Sequence, residues 1–195
     1  MYNQKLVLKI MDFKEVLKFL LAEFPKSDID FALVGGLAVS IYTKPRMTQD
    51  LDLMILSTDL NKAKKILINA GYNITFESGD IVTFVSNSVA RGRIDFQLAH
   101  RKHAKKMIAR AKNIELYPGM NVKVLIPEDI IGLKVQAYNN QPERYYKDMA
   151  DIQELIKSDD CKNLDEVEEY FKIFDRHSDF KTIIKELALK HEKKK

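Results

Sequence analysis

Cysteine is almost missing from this chain. The 195 residues contain one, Cys161, which excludes an intramolecular disulfide and fits a reducing compartment. No apolar run approaches the length of a membrane span, and the polar opening Tyr2-Asn3-Gln4-Lys5 does not start a signal peptide. The cytoplasm is therefore the default location. Internal repeats and low-complexity linkers are also missing. Charge of one sign is not in great excess: a net +4 is too mild to argue for nucleic acid by itself. What is present suits a modest soluble protein. Apolar residues make up 46% of the chain, ample for a core, and the length allows one domain with a helical appendage or two small lobes.

Periodicity divides the chain coarsely. Asp12 with Glu15 forms a capping box for a helix whose apolar face is Phe13, Val16, Leu17, Leu20 and Phe24, ended by Pro25 and Ser27. Phe31-Ala32-Leu33-Val34 reads as a short buried strand, Leu37 to Tyr42 as a helix, and Thr48 to Leu53 as a second strand. Leu60 to Ala70 is an amphipathic helix with Gly71 just past its end. Ile81 to Ser86 and Ile94 to Leu98 read as strands. Arg101 to Lys112 reads as a basic helix, Tyr117-Pro118-Gly119 as a turn, and Val122 to Ile126 as another strand. Everything after Pro127 reads helical, with a frayed tail at His191 to Lys195. The expected architecture is α+β: a mixed β-sheet with flanking helices over residues 1–126, and a helical C-terminal region, 127–195, packing on it.

Two aspartates one residue apart, Asp50 and Asp52, carry the first chemical signal. Strand side chains alternate faces, so these carboxylates share one face while Leu51, Leu53 and Ile55 share the other. They repel unless a cation lies between them, and hard oxygen ligands of this kind suit Mg²⁺. Upstream, Gly35-Gly36 joins a strand to a helix. Such an elbow leaves backbone N–H groups facing an incoming anion, and a Cβ there would block a phosphate's approach. An acidic strand following such an elbow is more specific than either alone.

These residues resemble the DNA polymerase β-like nucleotidyltransferase superfamily, most of all the small bacterial and archaeal enzymes grouped with the AbiEii-type toxins. The resemblance rests on Gly35-Gly36-Leu37-Ala38, on Arg46-Met47-Thr48-Gln49-Asp50-Leu51-Asp52, and on the lone acid of Ile94-Asp95-Phe96. It continues through Pro127-Glu128-Asp129-Ile130-Ile131-Gly132-Leu133-Lys134 and Arg144-Tyr145-Tyr146-Lys147-Asp148-Met149-Ala150-Asp151-Ile152, so that it spans residues 30 to 157. More distant members carry Gly-Ser where this chain has Gly35-Gly36, so backbone N–H groups would have to serve without a hydroxyl.

The resemblance implies a site. Asp95, which shares a strand face with Arg93 and Gln97, is either a surface residue or ion-pair partner or, as the resemblance implies, a third catalytic acid beside Asp50 and Asp52. Three carboxylates can hold two Mg²⁺ ions about 4 Å apart. Asp95 would lie nearest the attacking hydroxyl, as a proton acceptor. Gly35 and Gly36 become the phosphate elbow. Thr48 either contacts phosphate or orients a carboxylate, or is a β-favouring strand residue; Arg46 either reaches a triphosphate or forms a surface salt bridge. Lys134 becomes a nucleotide contact. Asp148 and Asp151 are possible additional acids or partners for Lys134, and with Arg144 and Lys147 they also sit at spacings that form helical ion pairs. Tyr138, Tyr145 and Tyr146 stack a base or belong to a helical core. The basic stretch 101–112, which contains no acid, is either a solvated face or a contact for RNA phosphate or triphosphate.

The function so implied is Mg²⁺-dependent transfer of a nucleoside monophosphate from a nucleoside triphosphate to an acceptor. The leading acceptor is tRNA, another RNA, or protein in a toxin–antitoxin setting, with a cognate antitoxin as partner and no membrane. The alternatives are transfer to a small antibiotic-type hydroxyl, or a non-catalytic nucleotide-binding regulator.

Overall fold

The computed structural model describes residues 11–100 and 102–192. The opening Tyr2 to Lys5, Arg101 of the basic stretch and the last three residues of the expected tail lie outside these. The described residues form seven strands and eight α-helices. They divide into two compact units: the first falls within Met1–Leu37 and Arg46–Leu125, the second within Ala38–Pro45 and Ile126–Lys195. Among the described residues no helix is long and apolar enough to cross a membrane.

The first unit is built on the sheet. Its opening helix α1, Phe13–Glu23, begins where the capping box requires, with Asp12 Oδ1 accepting the Glu15 N–H at 3.0 Å. Strands β1 (Phe31–Leu33), β2 (Asp50–Leu56), β3 (Tyr72–Glu77), β4 (Ile81–Ser86), β5 (Arg93–Ala99), β6 (Lys112–Tyr117) and β7 (Met120–Val124) line up in the order β3-β4-β5-β2-β1-β7-β6. The sheet is mixed: β2 runs parallel to β5 and antiparallel to β1, and β1 runs parallel to β7.

Alternation along β2 and β5 puts Leu51, Leu53, Ile55, Ile94 and Phe96 on one face, all fully buried. Phe24, at the end of α1, packs its ring edge-on against Phe31 at 5.6 Å and also meets Phe96, which in turn meets Phe84. This aromatic layer fixes the register of the central strands. A one-residue slip would turn the leucines outward and bury the aspartates.

Several boundaries differ from the sequence reading. Strands β3 and β6 are additions. Each lies at an edge of the sheet and pairs with one neighbour, β4 or β7, so neither needs the apolar pattern that marks a central strand. The basic helix is shorter than expected: α4 runs Lys102–Ala109, and Lys112 belongs to β6 instead. Helix α3, Leu60–Asn69, stops before Gly71, whose φ of +86° supplies the left-handed turn.

The second unit is helical. It holds most of α2 (Gly35–Tyr42), whose first three residues count with the sheet unit, and α5 (Pro127–Asn140), α6 (Tyr145–Lys157), α7 (Leu164–Ile173) and α8 (His177–Glu192). His191 and Glu192 are thus the last residues of α8, not a frayed tail. Tyr138 and Phe171 are among its largest fully buried side chains. The Pro127-Glu128-Asp129 segment ties α5 to α7. Glu128 Oε1 accepts the N–H groups of Lys162 and Asn163 at 2.7 and 2.9 Å, and Asp129 Oδ1 accepts the Tyr170 hydroxyl at 2.6 Å.

Candidate active site

The parallel pairing of β2 with β5 sets Asp52 beside Asp95 and Asp50 beside Arg93, and the antiparallel pairing of β4 with β5 sets Thr83 beside Asp95. Two adjacent rows therefore cross the sheet on its polar face: Thr83, Asp95 and Asp52 in one, Arg93 and Asp50 in the next. Asp50, Asp52 and Asp95 each bring one carboxylate oxygen to within 4.8 Å of the others. Such a set of hard oxygen donors fits Mg²⁺. Asp95 is buried, while Asp50 and Asp52 are partly open to solvent.

The glycine elbow abuts this cluster. Gly35 has a φ of +62°, and a Cβ built on it would overlap the carboxyl group of Asp52, reaching 2.6 Å from that residue's own Cβ. The Gly36 N–H donates to Asp52 Oδ2 at 3.3 Å, so the elbow's backbone touches the acidic strand directly. The sequence pattern opens a helix at Leu37; α2 instead begins at Gly35, which puts both glycines in its first turn.

Thr48 and Arg46 complete this corner. Thr48 lies ahead of β2, which starts at Asp50, and is not a strand residue as expected. Its Oγ1 donates to Asp50 Oδ1 at 3.2 Å, the carboxylate-orienting contact among the alternatives. A Cβ on Gly36 would come within 2.7 Å of Thr48 Oγ1 and 3.2 Å of the Arg46 guanidinium, so both side chains close over the elbow.

Of two residues beside the acids, Thr83 escaped the sequence reading, and Arg93 entered it only as sharing the strand face of Asp95. Thr83 donates to Asp95 Oδ1 at 2.6 Å. Arg93 donates from Nε to the same oxygen at 3.0 Å and lies 2.7 Å from Oδ2 through Nη2. The hydrogen bond to Asp95 foremost raises the Arg93 pKa further; burial, next in size, opposes it, and the charges of Asp95, Asp50 and Asp52 add to the rise. Alternation alone already puts Arg93 and Asp95 on one face of β5. The register that adds Thr83 and Asp50 is not a local property of sequence.

Lys134, Asp148 and Asp151 come together in the helical unit. The buried Lys134 ammonium lies 2.8 Å from Asp148 Oδ1 and 2.6 Å from Asp151 Oδ2, and Arg144 Nε donates to Asp148 Oδ2 at 2.9 Å. Of the alternatives open to the two acids, partnership with Lys134 is the one observed. Burial disfavours the charged form of Asp148, but Lys134 and Arg144 outweigh it and hold its carboxyl below the ordinary carboxylate range. Tyr138 is core, its hydroxyl donating to Asp179 at 3.1 Å, whereas Tyr146 is 86% exposed. Burial first, and Glu128's charge second, push the Cys161 thiol up to about 12, which leaves it no thiolate chemistry near neutral pH.

Solved structures share this fold. The solution structure of the antibiotic-resistance factor ANT(2'')-Ia is 17% identical, with a TM-score of 0.62 over 93% of this chain and 99% of that one. The lincomycin-bound lincosamide antibiotic adenylyltransferase LnuA is 14% identical, with a TM-score of 0.53 over 74% and 96%. An antigenic nucleotidyltransferase-like protein from Paracoccidioides brasiliensis is 16% identical, with a TM-score of 0.54 over 90% and 94%. No curated protein sequence matches the chain. The family described as nucleotidyl transferase AbiEii toxin, type IV TA system, matches residues 18–194. The chain belongs to this family and is a nucleotidyltransferase.

Proposed function

We propose that this enzyme moves a nucleoside monophosphate from a nucleoside triphosphate to a hydroxyl of an RNA, tRNA foremost, or of a protein, within a toxin–antitoxin system in the cytoplasm. The observation that carries the reading is the convergence of Asp50, Asp52 and Asp95 beside the Gly35-Gly36 elbow. In this proposal the three aspartates hold Mg²⁺, two ions where both positions fill. Bound Mg²⁺ would neutralise charge building on the α-phosphoryl group and on the leaving pyrophosphate.

The chain's own residues do the rest. Gly35 and Gly36 admit the phosphates to the backbone at the start of α2, Thr48 orients the Asp50 carboxylate, and Arg46 meets the triphosphate. Lys134 is assigned to the nucleotide on the resemblance of its motif alone, and Asp148 and Asp151 hold its ammonium. The acceptor oxygen bonds to the α-phosphorus as the bond to the β-phosphate oxygen breaks. Pyrophosphate leaves with that electron pair, and the hydroxyl proton passes to Asp95.

The test is incubation with each α-³²P-labelled nucleoside triphosphate, Mg²⁺ and total cellular RNA, beside Asp50→Ala/Asp52→Ala. Label in RNA of tRNA size, absent from the variant, is the expected result; label on protein would name the other acceptor. A second reading draws on two neighbours of this fold, ANT(2'')-Ia, also solved with adenylyl-2''-tobramycin, and LnuA with lincomycin. It predicts label on an aminoglycoside- or lincosamide-type hydroxyl and none on RNA or protein. A cognate antitoxin is the proposed protein partner, and rescue of growth by its co-expression would identify it.

A further inference from the structure

The three acids are not equivalent in how their charge is met. Both oxygens of Asp95 are engaged, Oδ1 by the Thr83 hydroxyl and Arg93 Nε and Oδ2 by Arg93 Nη2. This is a planar two-point fork, the strongest form of arginine–carboxylate pairing. Strand register builds it, since Arg93 sits two residues before Asp95 on β5, opposite Asp50 on β2, and Thr83 sits opposite Asp95 on β4. Asp95 and Thr83 are both buried, whereas the Arg93 side chain is 51% exposed. The carboxylate is thus fixed in place and its arginine partner has room to leave.

We propose that Arg93 is a positioning residue that serves the acidic cluster as a built-in counter-ion, competing with a divalent cation for the oxygens of Asp95. It rests on the reading of Asp50, Asp52 and Asp95 as the metal-holding set. Without a cation, Arg93 relieves the repulsion among three carboxylates. When a cation takes an Asp95 oxygen, the fork opens, and Thr83 keeps the carboxylate from swinging away. The released guanidinium then presents its paired donors to a phosphate of the incoming triphosphate, whose oxygens match the same fork. Cation and triphosphate each draw Arg93 off Asp95, so by linkage each favours the other.

The test measures Mn²⁺ binding without nucleotide, from the free-ion electron paramagnetic resonance signal. Arg93→Gln should bind Mn²⁺ about tenfold more tightly than wild type, and Arg93→Lys, which keeps the charge but not the fork, should fall between. In an Asp95→Asn background the gain from Arg93→Gln should shrink below about twofold, because the contested carboxylate is gone. A gain that persists there would mean charge acting through space, and no gain at all would mean no competition; either overturns the proposal. Asp50→Asn/Asp52→Asn separates this from failure of the underlying reading: Mn²⁺ binding that survives it would show that the acids are not the metal set. Arg93→Lys keeps the test decisive should Arg93→Gln fail to fold.

Discussion

Gly35 is the residue on which the site's geometry turns, because its backbone occupies the left-handed region and Asp52's carboxyl fills the space a side chain would need. Gly71 offers a matched comparison, also at positive φ but with nothing within 4 Å of the place a Cβ would take. Gly71→Ala should cost about 1–2 kcal/mol, the backbone strain of an L-residue in that region. Gly35→Ala should cost more in urea denaturation, and it should also lower nucleotide transfer by displacing Asp52, which Gly71→Ala should leave unchanged. At this scale the pattern Asp50-Leu51-Asp52 was legible because strand alternation is local. Asp95 entered through family resemblance, and its contacts with Thr83 did not enter at all. Whether β4 meets β5 with Thr83 or with a neighbour opposite Asp95 depends on cross-strand pairing, which no single segment encodes.

Between elements, the buried charges joining α5 to α6 behave as one unit. Lys134 and Arg144 balance Asp148 and Asp151, so removing one member leaves charge without its counterpart in a buried setting. Lys134→Met should lower stability by about 3–5 kcal/mol in urea unfolding at pH 7. The pH dependence has a definite sign. The Asp148 carboxyl is depressed below its ordinary value of 3.8, so its stabilisation is complete above about pH 4 and is lost as pH falls through the folded-state value. The stability advantage of wild type over Asp148→Asn should therefore hold from pH 7 to 5 and shrink toward pH 3. An advantage that stayed constant to pH 3 would remove Asp148 as the titrating group. The contact of Arg144 with Asp148 follows from helical spacing and was open to sequence reasoning, as was the capping box of α1. The pairing of Lys134 with Asp148 and Asp151, which bonds α5 to α6, was among the readings that the family motifs offered. Strands β3 and β6 were not legible, because their half-exposed edge positions carry weak apolar patterning. The Pro127-Glu128-Asp129 motif helped to identify the family, yet its two acids clamp α7 through Lys162, Asn163 and Tyr170.

Across the whole molecule, charge distribution bears on the acceptor more than net charge does. The order of motifs along the chain was enough to indicate the family and its mixed sheet, because each motif joins a strand or helix to a residue type the chemistry needs. The acceptor is a different kind of property, set by surface that no motif marks. Helix α4 is the main candidate for such a surface. Met107 and Ile108 are buried, α4 packs against β2 and β5, and Lys102, Lys105 and Lys106 are exposed with no acid in the helix. Strands β2 and β5 are those that carry the aspartates, so a polyanion lying along α4 would be held by the same structural unit as the site. Phosphate contacts release counterions, each steepening the fall of log K with log salt by about 0.7–0.9. Lys102→Glu/Lys105→Glu/Lys106→Glu should therefore weaken RNA binding and flatten that slope by about 2–3. Mn²⁺ binding at the aspartates should remain intact, since α4 supplies none of the ligands. An unchanged RNA affinity and slope in the triple variant would take α4 out of acceptor binding. Intact labelling of a small hydroxyl acceptor by that variant would then favour the antibiotic-type reading over RNA.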